Sequence, residues 1–270
     1  MSPPPKAEGG AYTVRAISRA AQVLGLIQHS SAPMALNQVV KLSELSKPTV
    51  FRMLRNLEDV GLVERVPGTD AYRLGLRCVA LGQAYLEQAD YRREALPILE
   101  SLRDRYSETV HLAVLDTELR VVYVEKLEGK HAVGIMMSRV GRSAPSYCTG
   151  LGKALLSSLD DDPAARLAAR GELVRKTDNT ICDADQLRSE LAAIRARGFS
   201  LDLEEHETGV RCVAANVQDA SGAVVAAISV AGPVQRMPHK LLTGELAEAT
   251  VAAARGISRR LGAVDHKAPS

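Results

Sequence analysis

The chain has 270 residues, 46% hydrophobic and 24% charged, enough for about two domains at ~100–200 residues each and too apolar for a wholly disordered polymer. No run approaches the ~18 uninterrupted apolar residues of a membrane-spanning helix, and the MSPPPKAEGG start lacks the apolar core of a secretory signal. The net charge is +2, divided as +3 over residues 1–74 and −1 over the remainder, so the front of the chain is the part expected to meet a polyanion.

Residues 1–11 read as a disordered tail, and cytoplasmic residence is the default expectation. From Val14 to Gln28, Ile17, Ala20, Ala21, Leu24 and Ile27 recur at helical spacing. A turn at HSSAP closes on Pro33, and Leu36, Val39, Val40 and Leu42 outline a short second helix. A third begins at Ser46 as N-cap with Pro48 in its first turn and stops at Gly61. In it Val50, Met53, Leu54 and Leu57 share one arc, opposite Arg52, Arg55 and Asn56. Leu62–Val66 and Ala71–Leu74 read as strands around the turn Pro67-Gly68-Thr69-Asp70. This is the element order of a winged helix-turn-helix, placed over 12–75.

A connecting helix over 76–90 offers Val79, Leu81, Ala84 and Leu86 as apolar contacts. The second domain, 91–262, opens with a helix over Arg92–Tyr106 and a hairpin of Thr109–Asp116 with Arg120–Lys126. Ala132–Ser138 is a further strand candidate. Helices are expected over Gly150–Leu159 and over Asp183–Arg197, the latter capped by Asp183 and stopped by Gly198. Thr208–Gln218 and Ala223–Val230 form a second hairpin, and Lys240–Leu261 a long closing helix. Helices framing a mostly antiparallel sheet give an α+β domain. Residues 263–270 read as a second disordered tail.

A recognition helix needs a face that packs on its own domain and an opposite face of donors whose N-terminal end enters the major groove. The third helix supplies both. Arg52 and Arg55 suit guanine or phosphate, and Ser46, Lys47 and Thr49 suit phosphates or base edges; Phe51 is counted with them. Arg65 and Arg73 flank the wing turn, in reach of backbone phosphates.

A glycine-bracketed turn at Thr149-Gly150-Leu151-Gly152 opens into a helix, and its free N–H groups suit a carboxylate or phosphate. It is not a Walker loop, because residue 147 is Tyr and Ala154 follows Lys153. Asp202, Cys212 and Ser229 are polar groups on apolar strand-like segments, where buried polar atoms need partners. Glu204, Glu205, His206 and Glu207 offer metal-ligand chemistry, and Cys212 beside His206 offers a nucleophile, but solvated charges and a buried thiol are the plainer readings. The four cysteines, Cys78, Cys148, Cys182 and Cys212, form no C-x-x-C pair, which argues against a disulfide scaffold and a zinc ribbon. Neither a metal nor a cofactor is expected.

Three segments, SELSKPTVFRMLRNLEDVGLVER, SAPSYCTGLGKALL and RGFSLDLEEHETGVRCVAANV followed by AAISVAGP, resemble the IclR-type bacterial transcription regulators, and the likeness runs over about residues 12–262. The resemblance implies a winged helix-turn-helix, a linker helix that helps dimerisation and a GAF-like effector domain. It implies homodimers that pair into tetramers on palindromic double-stranded operators, repressing or activating catabolic or stress genes, with no catalytic residue. It places a small organic acid among Thr149, Gly150, Asp202, Cys212 and Ser229, with Ile135 and Met137 as apolar wall.

Two positions depart from the family pattern. Ala215-Asn216-Val217 stands where Ala-Pro-Val is frequent, and Ala231 where a second hydroxyl often follows Ser229. Loss of that hydroxyl removes a hydrogen bond worth about 0.5–1.5 kcal/mol, which shifts the expected effector toward an aromatic carboxylate. The competing reading is a thiol-dependent enzyme on a GAF-like domain, using Cys212 or Cys148.

Overall fold

The computed structural model describes residues 14–130 and 138–264. The first tail, the second from residue 265 onward, the strand candidate up to residue 137, and Ile135 and Met137 with it, lie outside the described residues. The chain divides into two compact units between Tyr85 and Leu86. No helix among the described residues is long and apolar enough to cross a membrane.

The first unit contains α1 (Arg15–His29), β1 (Met34–Ala35), α2 (Leu36–Ser43), α3 (Lys47–Asp59), β2 (Val63–Arg65) and β3 (Ala71–Leu74). Val23 and Ile27 of α1, Val39 of α2, and Val50, Leu54 and Leu57 of α3 bury against Met34, Val63 and Tyr72. The buried arc of α1 is turned from the expected one: Val23 is in the core, whereas Ile17 and Ala21 are exposed. Leu42 is exposed as well. The α2–α3 turn is made by Glu44 in the left-handed region at φ 57°. β1, just after the turn read at HSSAP and not expected from sequence, pairs with β3 and makes the wing a three-stranded sheet. Two residues with a single alternation are too short to show a strand period.

The helix α4 (Arg77–Gln88) has no buried residue. Leu76 just before it and Val79, Leu81 and Tyr85 within it are exposed.

The second unit is a six-stranded antiparallel sheet in the order β6-β5-β4-β9-β8-β7. Its elements are α5 (Asp90–Tyr106), β4 (Thr109–Leu115), β5 (Val121–Leu127), β6 (Ser143–Ala144), α6 (Gly150–Leu156), α7 (Pro163–Ala169), α8 (Ala184–Arg197), β7 (Ser200–Leu203), β8 (Val210–Gln218), β9 (Val224–Pro233), α9 (His239–Thr243) and α10 (Glu245–Arg260). Leu112, Val213, Ile228 and Val230 point to one face and pack on α5 and α10. Ala113, Tyr123, Ala214 and Ala227 point to the other and pack on Leu151, Ala154 and Leu155 of α6. Side chains alternate across a sheet, and here both faces are covered, so β4 is buried along most of its length.

The expected closing helix is two helices, broken at Gly244, where φ −113° and ψ −115° leave helical space. α6 stops at Leu156 rather than residue 159. Ser157 and Ser158 turn their hydroxyls back onto the carbonyls of Ala154 and Leu155, a local bond that competes with helix propagation. The cap and stop read at α8 are present: Asp183 Oδ1 accepts from the Asp185 and Gln186 amides, and Gly198 sits at φ 81°.

Candidate DNA-reading face and effector cavity

In the first unit, α3 is held from beneath by Val50, Leu54 and Leu57, while Phe51, Arg52, Arg55 and Asn56 are exposed on its other side. Ser46 is the N-cap residue, but its hydroxyl bonds the Thr49 hydroxyl at 2.8 Å rather than a backbone amide. The N-terminal turn therefore presents hydroxyls and exposed Lys47 together. Arg55 lies 3.5 Å from Glu58; Arg52 has no protein partner among the described residues. In the wing, Arg65 Nε donates to the Thr69 carbonyl at 2.9 Å, holding the turn closed over Gly68 at φ 75°. Arg73 opposes Glu64 across the hairpin and pairs with it. Both arginines remain exposed.

In the second unit, a cavity of about 50 Å³ is lined by Thr149, Gly150, Asp202, Cys212 and Ser229, together with His111, Tyr123 and Ala231. Sheet register places these groups. Asp202 opposes Cys212, Cys212 opposes Ala231, and His111 opposes Ser229 on the next pair. A Cβ at Gly150 would stand 2.5 Å from Cys212 Sγ, and one at Gly152 2.3 Å from the Ser146 backbone. Both glycines are there for close approach of α6 to its neighbours. The expected row of free amides is partly used internally: Thr149 Oγ1 accepts from Gly152 N, and the Thr149 carbonyl from Lys153 N.

His111 and Tyr123 were not among the site residues read from sequence. The His111 ring contacts the Ser138 and Ser229 hydroxyls at 2.8 and 3.4 Å and lies 5.3 Å from the Tyr123 ring. Burial, reinforced by the Lys126 ammonium, pushes His111 down to about 3, so it is a neutral imidazole. Asp202 Oδ1 accepts from the Glu205 amide at 2.7 Å. Its burial and the nearby Glu205 carboxylate push it up to about 7.

Behind the cavity, Lys153 of α6 is buried at 1% exposure. Its Nζ pairs with Glu205 and lies 3.7 Å from Glu190, which pairs in turn with Arg197. The only sequence signal was a lone lysine in the apolar run LGKALL.

The thiol reading finds one histidine–cysteine contact but not the ionisation it needs. His206 Nδ1 approaches Cys148 Sγ at 3.7 Å, not Cys212 as expected from sequence. Burial first, then the Asp202 carboxylate, raises both thiols, Cys148 to about 12 and Cys212 further, whereas a nucleophile needs the thiolate. The acidic run is also engaged elsewhere, with Glu204 on Arg211 and Glu205 on Lys153. Among the described residues no three His, Cys, Asp or Glu groups converge.

Residues 16–67 match the IclR helix-turn-helix domain, and residues 83–259 match the bacterial transcriptional regulator IclR C-terminal domain. The chain is similar to the HTH-type transcriptional regulator XynR of Escherichia coli K12, 34% identical over 92% of this chain and 98% of that one. It is similar also to the HTH-type transcriptional regulator BhcR of Paracoccus denitrificans, 33% identical over 91% of this chain and 86% of that one. Among solved structures, a putative IclR regulator from Silicibacter sp. TM1040 superposes with a TM-score of 0.78 at 26% identity, covering 92% of this chain and 97% of the other. These relatives are regulators rather than enzymes, and the chain belongs to the IclR family of bacterial transcriptional regulators.

Proposed function

We propose that the chain is an operator-binding regulator of a catabolic operon, gated by a small aromatic carboxylic acid. The observation that carries the DNA half is Arg52, exposed and unpartnered on a helix whose opposite side is core. In this reading Arg52, Arg55 and Phe51 face base edges, Ser46, Lys47 and Thr49 meet phosphates at the helix start, and Arg65 and Arg73 meet phosphates from the wing. One such domain buries too little surface for tight specific binding, so two copies act together on a near-palindromic site. The exposed apolar residues Leu76, Val79, Leu81 and Tyr85 on and beside α4 support a linker, about 76–90, that joins two chains between a DNA-binding domain over 12–75 and an effector domain over 91–262. Such a protein works where the chromosome is, in the cytoplasm.

The effector half rests on the chemistry of the cavity's lining; at about 50 Å³ the cavity has to widen before it admits a ring. Tyr123 and His111 supply ring surface, and Ser138, Ser229, Thr149 and Asp202 supply polar atoms. Among the described lining residues there is no Lys or Arg. A dianion would be desolvated without a counter-charge, whereas one carboxylate can be met by hydroxyls and by Asp202 in its neutral, donating form. Gating requires that the acid favour one arrangement of the paired DNA heads. The test is recovery of bound duplexes from a random pool, with and without a panel of aromatic monocarboxylates. A palindrome whose recovery changes with one compound is expected; no enriched sequence at low salt would sink the DNA half, and response only to aliphatic dianions the effector half.

A further inference from the structure

Asn216 is the family departure that the effector cavity does not absorb. It stands on β8 two pleats beyond Cys212 and points to the same face, toward α6. Its Nδ2 donates to the Ala154 carbonyl at 2.7 Å, which fixes the amide's orientation, and its Oδ1 is buried with no partner. A buried acceptor left unpaired costs about 1–3 kcal/mol.

Asn216 lies in the wall of a separate open groove of about 950 Å³, bounded by the end of α6, α8, β8 and α10. β7 pairs with β8 only as far as Ala214, so the groove follows the stretch of β8 that its edge strand leaves uncovered. Arg195, Arg255 and Arg259 line it, and no Asp or Glu does. Arg195 uses Nε on the Ser157 carbonyl at 3.0 Å; Arg255 has no protein partner among the described residues. The nearby hydroxyls of Ser157, Ser158 and Ser258 already donate to backbone carbonyls. What the groove leaves unpaired is guanidinium N–H groups, the exposed Gln218 carboxamide and, set into its wall, the Asn216 carbonyl oxygen.

We infer that this groove is a second small-molecule site, for an anion that also carries a hydroxyl: the acid group meets Arg195 and Arg255, and the hydroxyl donates to Asn216 Oδ1. Its size is that of a metabolite site. Guanidinium recognises carboxylate and phosphate alike, so the shared chemistry is a hydroxylated anion, either a hydroxy acid or a hydroxyalkyl phosphate. The site does not depend on the aromatic-acid reading of the effector cavity.

Titration calorimetry of the full chain would compare L-malate with succinate and glycerol 3-phosphate with methyl phosphate. One hydroxylated member is expected to saturate the protein about tenfold more tightly than its partner. An Arg195→Ala/Arg255→Ala variant, altered only at exposed positions, should weaken that binding about tenfold or more. Asn216→Ala should erase the preference for the hydroxyl while keeping acid binding. Arg166→Ala, which removes an exposed arginine outside the groove, should leave both unchanged. Far-ultraviolet circular dichroism and urea unfolding report the fold of every variant. The inference is overturned if none of the four anions saturates, if the hydroxyl makes no difference, or if the double arginine variant binds as the wild type does.

Discussion

The proposed DNA-reading face and the proposed effector cavity are built in opposite ways. The first is a run of neighbouring residues on one helix, Ser46 to Arg55, exposed on one side and anchored by Val50, Leu54 and Leu57 on the other. The second is gathered from segments spread between His111 and Ala231, buried, and backed by an ion pair. The difference decides what a mutation means. Truncating an exposed arginine removes one interaction with a partner and leaves the fold as it was. Truncating a buried polar group leaves its neighbours without partners, so stability and binding change together.

The sharpest way to break that contrast is Lys153→Ala. It strands Glu205, whose second carboxylate oxygen is already buried without a partner. Removing one member of a buried pair costs about 3–5 kcal/mol, and urea unfolding should show a loss of that order. Lys153→Met combined with Glu205→Gln removes both charges and should recover most of it. A Lys153→Ala protein as stable as the wild type would mean that the charges behind the cavity are solvated after all.

A second test uses pH. Asp202 is held up to about 7, faced by Glu205 and Lys153, with Cys212 and Tyr123 beside it. A carboxyl in the unfolded chain titrates near 4, so between about 4 and 7 the folded protein keeps a proton that the unfolded chain has released. Stability contributed by that group therefore falls as pH rises through this window. Denaturation midpoints taken between about pH 5 and 8 should decline more steeply in the wild type than in Asp202→Asn. An aromatic monocarboxylate should also bind more weakly toward pH 8, because the neutral donor is lost. A pH-independent affinity would remove Asp202 from the ligand's reach. His111 acts with the opposite sign: depressed to about 3, it lowers stability as pH falls below the ordinary imidazole value near 6.5, and His111→Gln should flatten the acid side.

The same contrast explains what could be read from sequence. Helix α3 was legible because cap, stop and 3.6-residue period agree within one short window, and Asp183 and Gly198 bracket α8 in the same way. Thr149, Gly150, Asp202, Cys212 and Ser229 come together through family likeness; the register of β7, β8 and β9 sets the last three side by side, and the close approach of α6 at Gly150 adds the first two. His111 and Tyr123 escaped because β4 is buried on both faces, so the face opposite its apolar residues is not marked by sequence as either solvent or site. The Lys153–Glu205 pair spans 52 positions, and nothing local marks its partners. The closing helix reads from sequence as one element because one glycine in a helical pattern lowers propensity by only about 1 kcal/mol, too little to predict the break at Gly244.

On the exposed face the expected effects are smaller and cleaner. Arg52→Ala should weaken operator binding by about 1–3 kcal/mol if the side chain reads a base, with unfolding free energy within about 0.5 kcal/mol of wild type. Equal weakening on every duplex, measured by fluorescence anisotropy, would make Arg52 a phosphate contact instead.

The smallest effect belongs to the wing, where Arg73 already has an anionic partner in Glu64. The pair is exposed at 58% and 37% of its side chains, and such pairs contribute about 0–1 kcal/mol to stability. To meet a phosphate, Arg73 must leave Glu64, so the carboxylate competes with DNA for the same guanidinium. Glu64→Gln should therefore tighten binding slightly at low salt on specific and non-specific duplexes alike. Arg73→Ala should reduce the slope of log affinity against log salt by about 0.9, the value for one phosphate. If Glu64→Gln leaves affinity unchanged while Arg73→Ala still lowers the slope, Arg73 reaches the phosphate without giving up its carboxylate. If neither variant moves the slope, the wing meets no phosphate through Arg73, and the arginine serves only to hold β2 and β3 in register.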